Sequence, residues 1–122
     1  MGIADNYRLI AERVSRTAVA CGRDPGSVKI VAVSKTHPAD AIAEAQTGGA
    51  IIFGENKVQE AKEKFPLLKG PFEFHLVGHL QSNKAKEAVR MFDLIHSIDS
   101  FSTAQKVDRE AAALGKKQRI LV

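Results

Sequence analysis

The sequence predicts an α/β fold made of parallel strand–helix units, and three observations predict it. Short apolar runs rich in β-branched residues begin roughly every twenty residues along most of the chain. A stretch with helical periodicity lies between each run and the next, and polar residues follow each run directly. Alternation of this kind builds parallel sheets with right-handed crossover connections.

Residues 4–21 have the pattern of an amphipathic helix that precedes the first strand. Apolar residues recur there at three- and four-residue steps, which places them on one face of a helix. Asp5 is expected to cap the start of this helix and Gly22 its end. Cys21 falls on the apolar face, so it is predicted to be a core thiol and not a nucleophile.

Five apolar runs are predicted as strands, and the first is typical of a strand buried on both faces. The runs are Val28–Val33, Ala50–Phe53, Phe72–Val77, Leu94–Ile98 and Ile120–Val122. Within the third run, a period of two predicts Phe72, Phe74 and Leu76 on the face that packs against helices. His75 then points to the opposite, interior face, where a hydrogen-bonded histidine is more common than a catalytic one.

Four helical patterns connect these strands. They cover Ala39–Gln46, Lys57–Phe65, Lys84–Phe92 and Phe101–Leu114. Pro38 precedes the first of these helices and suits a first helical turn. Ser82 or Asn83 is a candidate cap for the third, and Asp99 or Ser100 for the fourth.

Four helix-linked units and the start of a fifth correspond to about half of an eight-fold (β/α)8 barrel. The chain ends inside the predicted fifth strand, and a protein rarely ends on an apolar strand that nothing covers. A fragment of a longer barrel is therefore favoured over a small open sheet. Residues 1–122 are expected to form one domain whose open edge favours a missing C-terminal half or self-association.

Composition excludes several functional classes. The 122 residues are 44% hydrophobic and 26% charged, as in soluble globular proteins, and the net charge of +4 is scattered, which does not predict nucleic-acid binding. A single cysteine suits the reducing cytosol, and neither a signal peptide nor an apolar run of membrane-spanning length is evident, so a cytoplasmic protein is predicted. The four histidines lack metal-ligand spacing, and no metal site is predicted.

Lys35 is the strongest candidate for chemistry, because it follows the first apolar run directly. Ligands in parallel α/β folds collect at the carboxyl ends of strands. Desolvation between apolar walls there lowers the pKa of a lysine and makes it a candidate Schiff-base nucleophile. The alternative is an ordinary lysine that extends from a strand end into water, and this short stretch alone favours that alternative.

Polar groups also follow the next three runs, which strengthens the case for a ligand site at the carboxyl edge. They are Gly54, Glu55 and Asn56 after the second run, Gly78, His79, Gln81, Ser82, Asn83 and Lys84 after the third, and His96, Ser97 and Asp99 around the fourth. The opposite, amino ends of the runs carry fewer hydrogen-bonding groups. This asymmetry predicts a ligand mouth at the carboxyl ends of the strands.

Four segments together resemble a known family. They are Val31–Thr36, Phe53–Glu60, His75–Lys84 and Ile95–Asp99. In residue pattern, order and spacing they are similar to consecutive motifs of the pyridoxal phosphate homeostasis proteins, which bind pyridoxal 5′-phosphate (PLP). The resemblance extends over nearly the whole chain.

The resemblance implies a PLP-binding (β/α)8 barrel like the alanine racemase N-terminal domain, with an extra leading helix. It implies that Lys35 carries PLP as a Schiff base, that Asn56 and His79 lie near the cofactor, and that Asn83 and Ser97 line the pocket. The implied role is intracellular PLP homeostasis without robust catalysis. Members of that family are longer and bind the phosphate with later segments, so this chain alone is expected to retain PLP weakly.

Two other functions stay open. A racemase-like or aldolase-like Schiff-base enzyme would need an acid/base partner for Lys35, and Glu55 is the only nearby carboxylate that the sequence offers. A nucleic-acid-binding module would use the basic excess, but the sequence has neither an aromatic stacking platform nor a basic stripe.

Overall fold

The computed structural model describes residues 2–122 and contains a sheet of five parallel strands. The strands are β1 (Ala32–Val33), β2 (Ile52–Glu55), β3 (Glu73–Leu76), β4 (Leu94–Ile95) and β5 (Arg119–Ile120). They lie side by side in chain order, and every neighbouring pair is parallel. Barrels keep this uninterrupted order, whereas doubly wound sheets reverse it at a switch point. The predicted α/β class and partial barrel are confirmed.

Helices occupy the connections that the sequence predicts. They are α1 (Ile3–Ala20), α2 (Ala39–Thr47), α3 (Val58–Lys64), α4 (Ala85–Met91) and α5 (Phe101–Ala113), with short 3-10 turns at Pro25–Ser27, Phe65–Leu67 and Ser82–Lys84. Ser100 caps α5 as expected, because its Oγ accepts the Thr103 N–H at 3.2 Å. No helix formed by residues 2–122 has both the length and the apolar character needed to cross a membrane.

Two other predicted caps are wrong. Asp5 lies inside the first turn of α1, where it pairs with Arg8 at 3.1 Å, and Gly2 takes the N-cap position. Ser82 and Asn83 do not cap α4, because they form their own 3-10 turn ahead of it. In both places the helix begins at a different residue from the one that the polar side chains suggested.

The first strand is much shorter than its apolar run. Only Ala32 and Val33 pair with β2, opposite Phe53 and Gly54. Continued backwards in this register, residues 28–30 lie opposite residues 49–51, which belong to the turn after α2 and the approach to β2. A turn offers no ladder of hydrogen bonds, so the apolar residues opposite it do not form a strand.

The core lies between the sheet and the outer helices and is centred on Phe74. This side chain is fully buried, and its ring centroid lies 5.1 Å from that of Phe92 and 6.0 Å from those of Phe65 and Phe72. Leu76, two residues along β3, is also fully buried in this cluster. The predicted apolar face of the third run is therefore confirmed.

The leading helix packs against α2. A Cβ atom at Gly48 would stand 2.6 Å from the carbonyl oxygen of Ala4, so only glycine permits this close approach. Arg8 adds a hydrogen bond to the Thr47 carbonyl at 3.0 Å. These contacts hold the start of α1 against the end of α2.

The prediction that Cys21 is a core thiol is wrong, since the cysteine is exposed. It follows the last turn of α1, where only Ala18 of that helix is buried. The apolar face continues in sequence to Cys21, but no element within residues 2–122 buries this end of it. The thiol therefore borders an open groove with Val14 and Val28.

We expect Phe74→Ala to lower the free energy of unfolding by roughly 3–5 kcal/mol, because it leaves a cavity in the aromatic cluster. Phe101→Ala is the matched control, since Phe101 is 78% exposed at the start of α5 and its loss should cost less than about 0.5 kcal/mol. Urea denaturation followed by circular dichroism measures both. Equal losses in the two variants would contradict the position of the core.

Candidate functional site

The candidate site lies at the carboxyl edge of the sheet. Because the five strands are parallel, the segments that follow them meet at one edge. Lys35 follows β1, Asn56 follows β2, His79 follows β3 and Ser97 follows β4. Asn83 lies further along, exposed in the 3-10 turn ahead of α4.

Lys35 occupies the second position of a four-residue turn. The turn is closed by His37, whose backbone N–H donates to the Ser34 carbonyl at 3.1 Å. The Lys35 side chain is exposed. None of the salt bridges found among residues 2–122 engages it. Its amine is therefore accessible to a ligand.

The apolar cleft predicted around Lys35 is wrong for this structure. Val33, which precedes the turn, is 50% exposed. Among residues 2–122, β1 lies at the edge of the sheet and pairs only with β2, so no second strand flanks the turn on its other side.

A buried ion pair lies directly beneath the turn. Lys64 Nζ donates to Glu55 Oε1 at 2.9 Å and to the Ser34 carbonyl at 2.7 Å. The Glu55 carboxylate is fully buried and also accepts a hydrogen bond from Ser34 Oγ. The end of α3, the end of β2 and the start of the Lys35 turn are thereby bonded to one another.

Sequence reasoning missed Lys64, although a signal was present. Val58, Ala61 and Lys64 follow one another at three-residue steps, and all three are buried on the inner face of α3. A lysine at such spacing on an apolar face needs a buried acceptor, because an unpaired charge there is costly. Helix spacing alone offers Glu60, four residues earlier on α3, as a partner for Lys64.

The position of Glu55 weakens the alternative of a Schiff-base enzyme. That reading needs Glu55 as the acid/base partner of Lys35. In the structure its carboxylate is turned inward and is neutralised by Lys64. A group held in this way is not available to move protons at an exposed amine.

Asn56 and His79 border one open cleft of about 500 Å³ at the carboxyl edge. Its rim also carries Lys57 and Lys84. His79 is exposed, and its Nδ1 lies 3.5 Å from an oxygen of the exposed Asp99 side chain. Lys35, Asn83 and Ser97 do not line this cleft, so the structure brings together two of the five predicted binding residues in it.

Ser97 is joined to the same edge by hydrogen bonding. Its Oγ donates to the Gly78 carbonyl at 2.6 Å. Gly78 in turn lies against the backbone of Asn56 so closely that any Cβ atom would overlap it. The segments after β2, β3 and β4 are therefore in direct contact, and a glycine is required at position 78.

A network of hydrogen-bonded polar side chains crosses the inner face of the sheet. His75 is buried, with Nδ1 3.0 Å from His96 Nε2 and Nε2 3.2 Å from Glu73 Oε1. Glu73 also accepts from Arg119 at 2.6 Å. Both ring nitrogens of His75 thus have partners, which confirms the prediction of a hydrogen-bonded interior histidine. Among residues 2–122, no group of three or more His, Cys, Asp or Glu side chains could hold a metal ion.

The surroundings in this network shift the pKa values of two of its groups. Burial, reinforced by the neighbouring His75, lowers the pKa of His96 below its ordinary value. The hydrogen bond from Arg119, followed by that from His75, lowers the pKa of Glu73. At neutral pH this network therefore contains a neutral His96 and an ionised Glu73.

Comparison with known proteins places the chain in a family. The model of the alanine racemase N-terminal domain matches residues 3–122. The chain belongs to this family. It is 41% identical to the pyridoxal phosphate homeostasis protein of Pseudomonas aeruginosa over 112 residues, which cover 91% of this chain and 49% of that protein. The Escherichia coli protein of the same name is 40% identical over 115 residues, with the same shares covered.

Solved structures agree with this family membership. PipY of Synechococcus elongatus, solved with PLP bound, superposes with a TM-score of 0.76 at 47% identity over 88% of this chain and 51% of that one. A protein of unknown function from Bifidobacterium adolescentis superposes with a TM-score of 0.89 at 31% identity over 98% of this chain and 53% of that one. The chain spans about half the length of the curated relatives it matches.

We expect stability to fall between about pH 7 and pH 5, because the unfolded state binds a proton at His96 more readily than the folded state. The His96→Gln variant removes this group and should lose less stability over that range. His37→Gln, at an exposed histidine, is the control and should keep the wild-type dependence. Urea unfolding at several pH values measures all three, and identical profiles for wild type and His96→Gln would contradict this origin.

Proposed function

We propose that this chain binds PLP through Lys35 and takes part in PLP homeostasis in the cytosol. One observation carries the proposal: Lys35 presents an exposed amine at the carboxyl edge of a parallel sheet. Hydrogen-bonding groups follow the neighbouring strands at the same edge. The homeostasis proteins of the two bacteria and the PLP-bound relative support this reading.

The types of residue at this edge fit the aldehyde-bearing ring of PLP. That part of the cofactor needs a primary amine for its aldehyde and hydrogen-bonding groups around its ring. Lys35 supplies the amine. Asn56, half-buried beside the cleft, and the exposed His79 offer such groups, while Ser97 supports them through Gly78.

When bound, PLP supplies an electrophilic aldehyde conjugated to an electron-withdrawing ring. Lys35 would supply the primary amine that condenses with this aldehyde, with loss of one water and without an oxidant or reductant, and Asn56 and His79 would hold the ring by hydrogen bonds.

The proposed location in the cytosol agrees with the single cysteine. Cys21 is exposed and free. Thiols of this kind persist in a reducing compartment and tend to oxidise in an oxidising one. A free surface thiol is therefore compatible with the compartment in which PLP homeostasis is proposed.

We expect borohydride reduction in the presence of PLP to label Lys35 specifically. Lys35→Ala should abolish this label. Lys29→Ala is the matched control, because Lys29 is also exposed and lies before β1, at the opposite end of the same strand. Digestion and peptide mass analysis locate the label. Labelling spread over surface lysines, unchanged in Lys35→Ala, would sink the proposal.

Without reduction, we expect dialysis to remove most of the bound PLP. Lys35 is exposed in its turn, so water reaches the carbon–nitrogen double bond and reverses its formation. Absorbance of the retained protein, followed during dialysis, measures the loss, and a borohydride-reduced sample serves as the control that keeps its label. Full retention by the unreduced protein would show that the site is more enclosed than its geometry indicates.

A further inference from the structure

The turn that carries Lys35 has an unusual backbone. Thr36, its third residue, has a φ angle of +66° and is the only non-glycine residue between positions 2 and 122 with a positive φ. A β-branched residue avoids this left-handed region unless its surroundings hold it there. Turns of type II require this sign of φ at the third position, and glycine usually supplies it.

A hydrogen bond to Glu60 holds the backbone of Thr36 in this conformation. The Glu60 Oε2 atom accepts the backbone N–H of Thr36 at 2.5 Å, across 24 residues of sequence. The same oxygen lies 2.8 Å from Lys64 Nζ. Lys64 in turn bonds to the Ser34 carbonyl. Both neighbours of Lys35 in the chain are therefore fastened to α3.

The bonds at Lys64 are complete. An ammonium group has three N–H donors, and Lys64 is surrounded by three acceptors: the Glu55 carboxylate, the Glu60 carboxylate and the Ser34 carbonyl. The hydrogen bonds from Lys64 and from the Thr36 N–H lower the pKa of Glu60. Its carboxylate is thus ionised at neutral pH and remains an acceptor for both.

We propose that Glu60, supported by the Glu55–Lys64 ion pair, is a positioning residue that sets the orientation of Lys35 for the capture of PLP. This inference rests on the function proposed above. Glu60 does not touch the aldehyde. It acts through the backbone of Thr36, by keeping the turn in the conformation that directs the Lys35 side chain outward.

A purely structural role explains the arrangement less well. Buried ion pairs rarely stabilise a protein more than well-packed apolar residues would. Glu60 lies at the rim of α3, with its side chain 26% exposed, and without it Lys64 still has hydrogen bonds to both oxygens of Glu55 and to the Ser34 carbonyl. The contact that only Glu60 supplies is the one to the strained residue after Lys35.

The Glu60→Ala variant tests this role, and two further variants serve as controls. Glu60→Gln keeps an oxygen that can accept from both Thr36 and Lys64, so it should preserve the turn. Glu63→Ala removes an exposed glutamate from the same helix, whose carboxylate accepts a hydrogen bond from Gln59 on that helix. The readouts are the rate at which PLP is trapped on Lys35 by borohydride, the exchange rate of the Thr36 amide proton by NMR, and the thermal midpoint.

We expect Glu60→Ala to slow trapping at Lys35 roughly tenfold or more, since small displacements of a reacting group carry penalties of this order. Its Thr36 amide should exchange faster, while Glu60→Gln and Glu63→Ala stay close to wild type in both rates. Thr36→Gly, introduced into Glu60→Ala, should recover much of the trapping rate, because glycine adopts a positive φ without help. This recovery separates an effect on the turn from general destabilisation, which glycine would not repair.

The outcomes distinguish the two proposals. If the wild type is labelled at Lys35 and Glu60→Ala is labelled as fast, the positioning role is overturned and the proposed function stands. Slow trapping in Glu60→Ala that Thr36→Gly fails to improve also overturns it. If the wild type is not labelled at Lys35 although its Thr36 amide is protected, the proposed function fails, and the positioning role for PLP fails with it.

Discussion

The ion pair between Glu55 and Lys64 is the interaction on which the carboxyl edge of the sheet depends. Its carboxylate is fully buried, and removing one partner from such a pair typically costs roughly 3–5 kcal/mol. Because Lys64 also bonds to Ser34, the pair fixes the end of β2 and the turn after β1 to the same point on α3. The exposed lysine thus stands on a backbone that is anchored from inside the protein.

Contacts of the same kind continue along the edge from one strand to the next. Ser34 bonds to the backbone and side chain at the end of β2, Gly78 packs against Asn56, and Ser97 bonds to Gly78. Each contact is short-range and joins only neighbouring segments. Together they form a continuous series from β1 to β4, so the polar groups of this edge keep their relative positions without any one residue reaching across the site.

Local patterns in the sequence predicted the fold well and the site only partly. Apolar runs and helical periodicity are local signals, and they predicted the alternation of strands and helices, the buried face of β3 and the cap at Ser100. The burial of Lys64 depends on Ser34, 30 residues earlier, and the exposure of Lys35 depends on β1 being an edge strand. Cys21 was misjudged for a similar reason, since its helix face continues where no described element covers it. Such outcomes follow from tertiary arrangement, which periodicity does not encode.

The combination of an anchored backbone with an open side chain bears on what the proposed site can do. Enzymes that use a lysine-bound cofactor exclude water, so that reactive species are not hydrolysed. Here the amine is exposed, and the nearest buried carboxylate is occupied by Lys64. Under the proposed function, water that reaches the exposed Lys35 amine of this chain would reverse the capture of an aldehyde there, and Glu55 would not move protons to it.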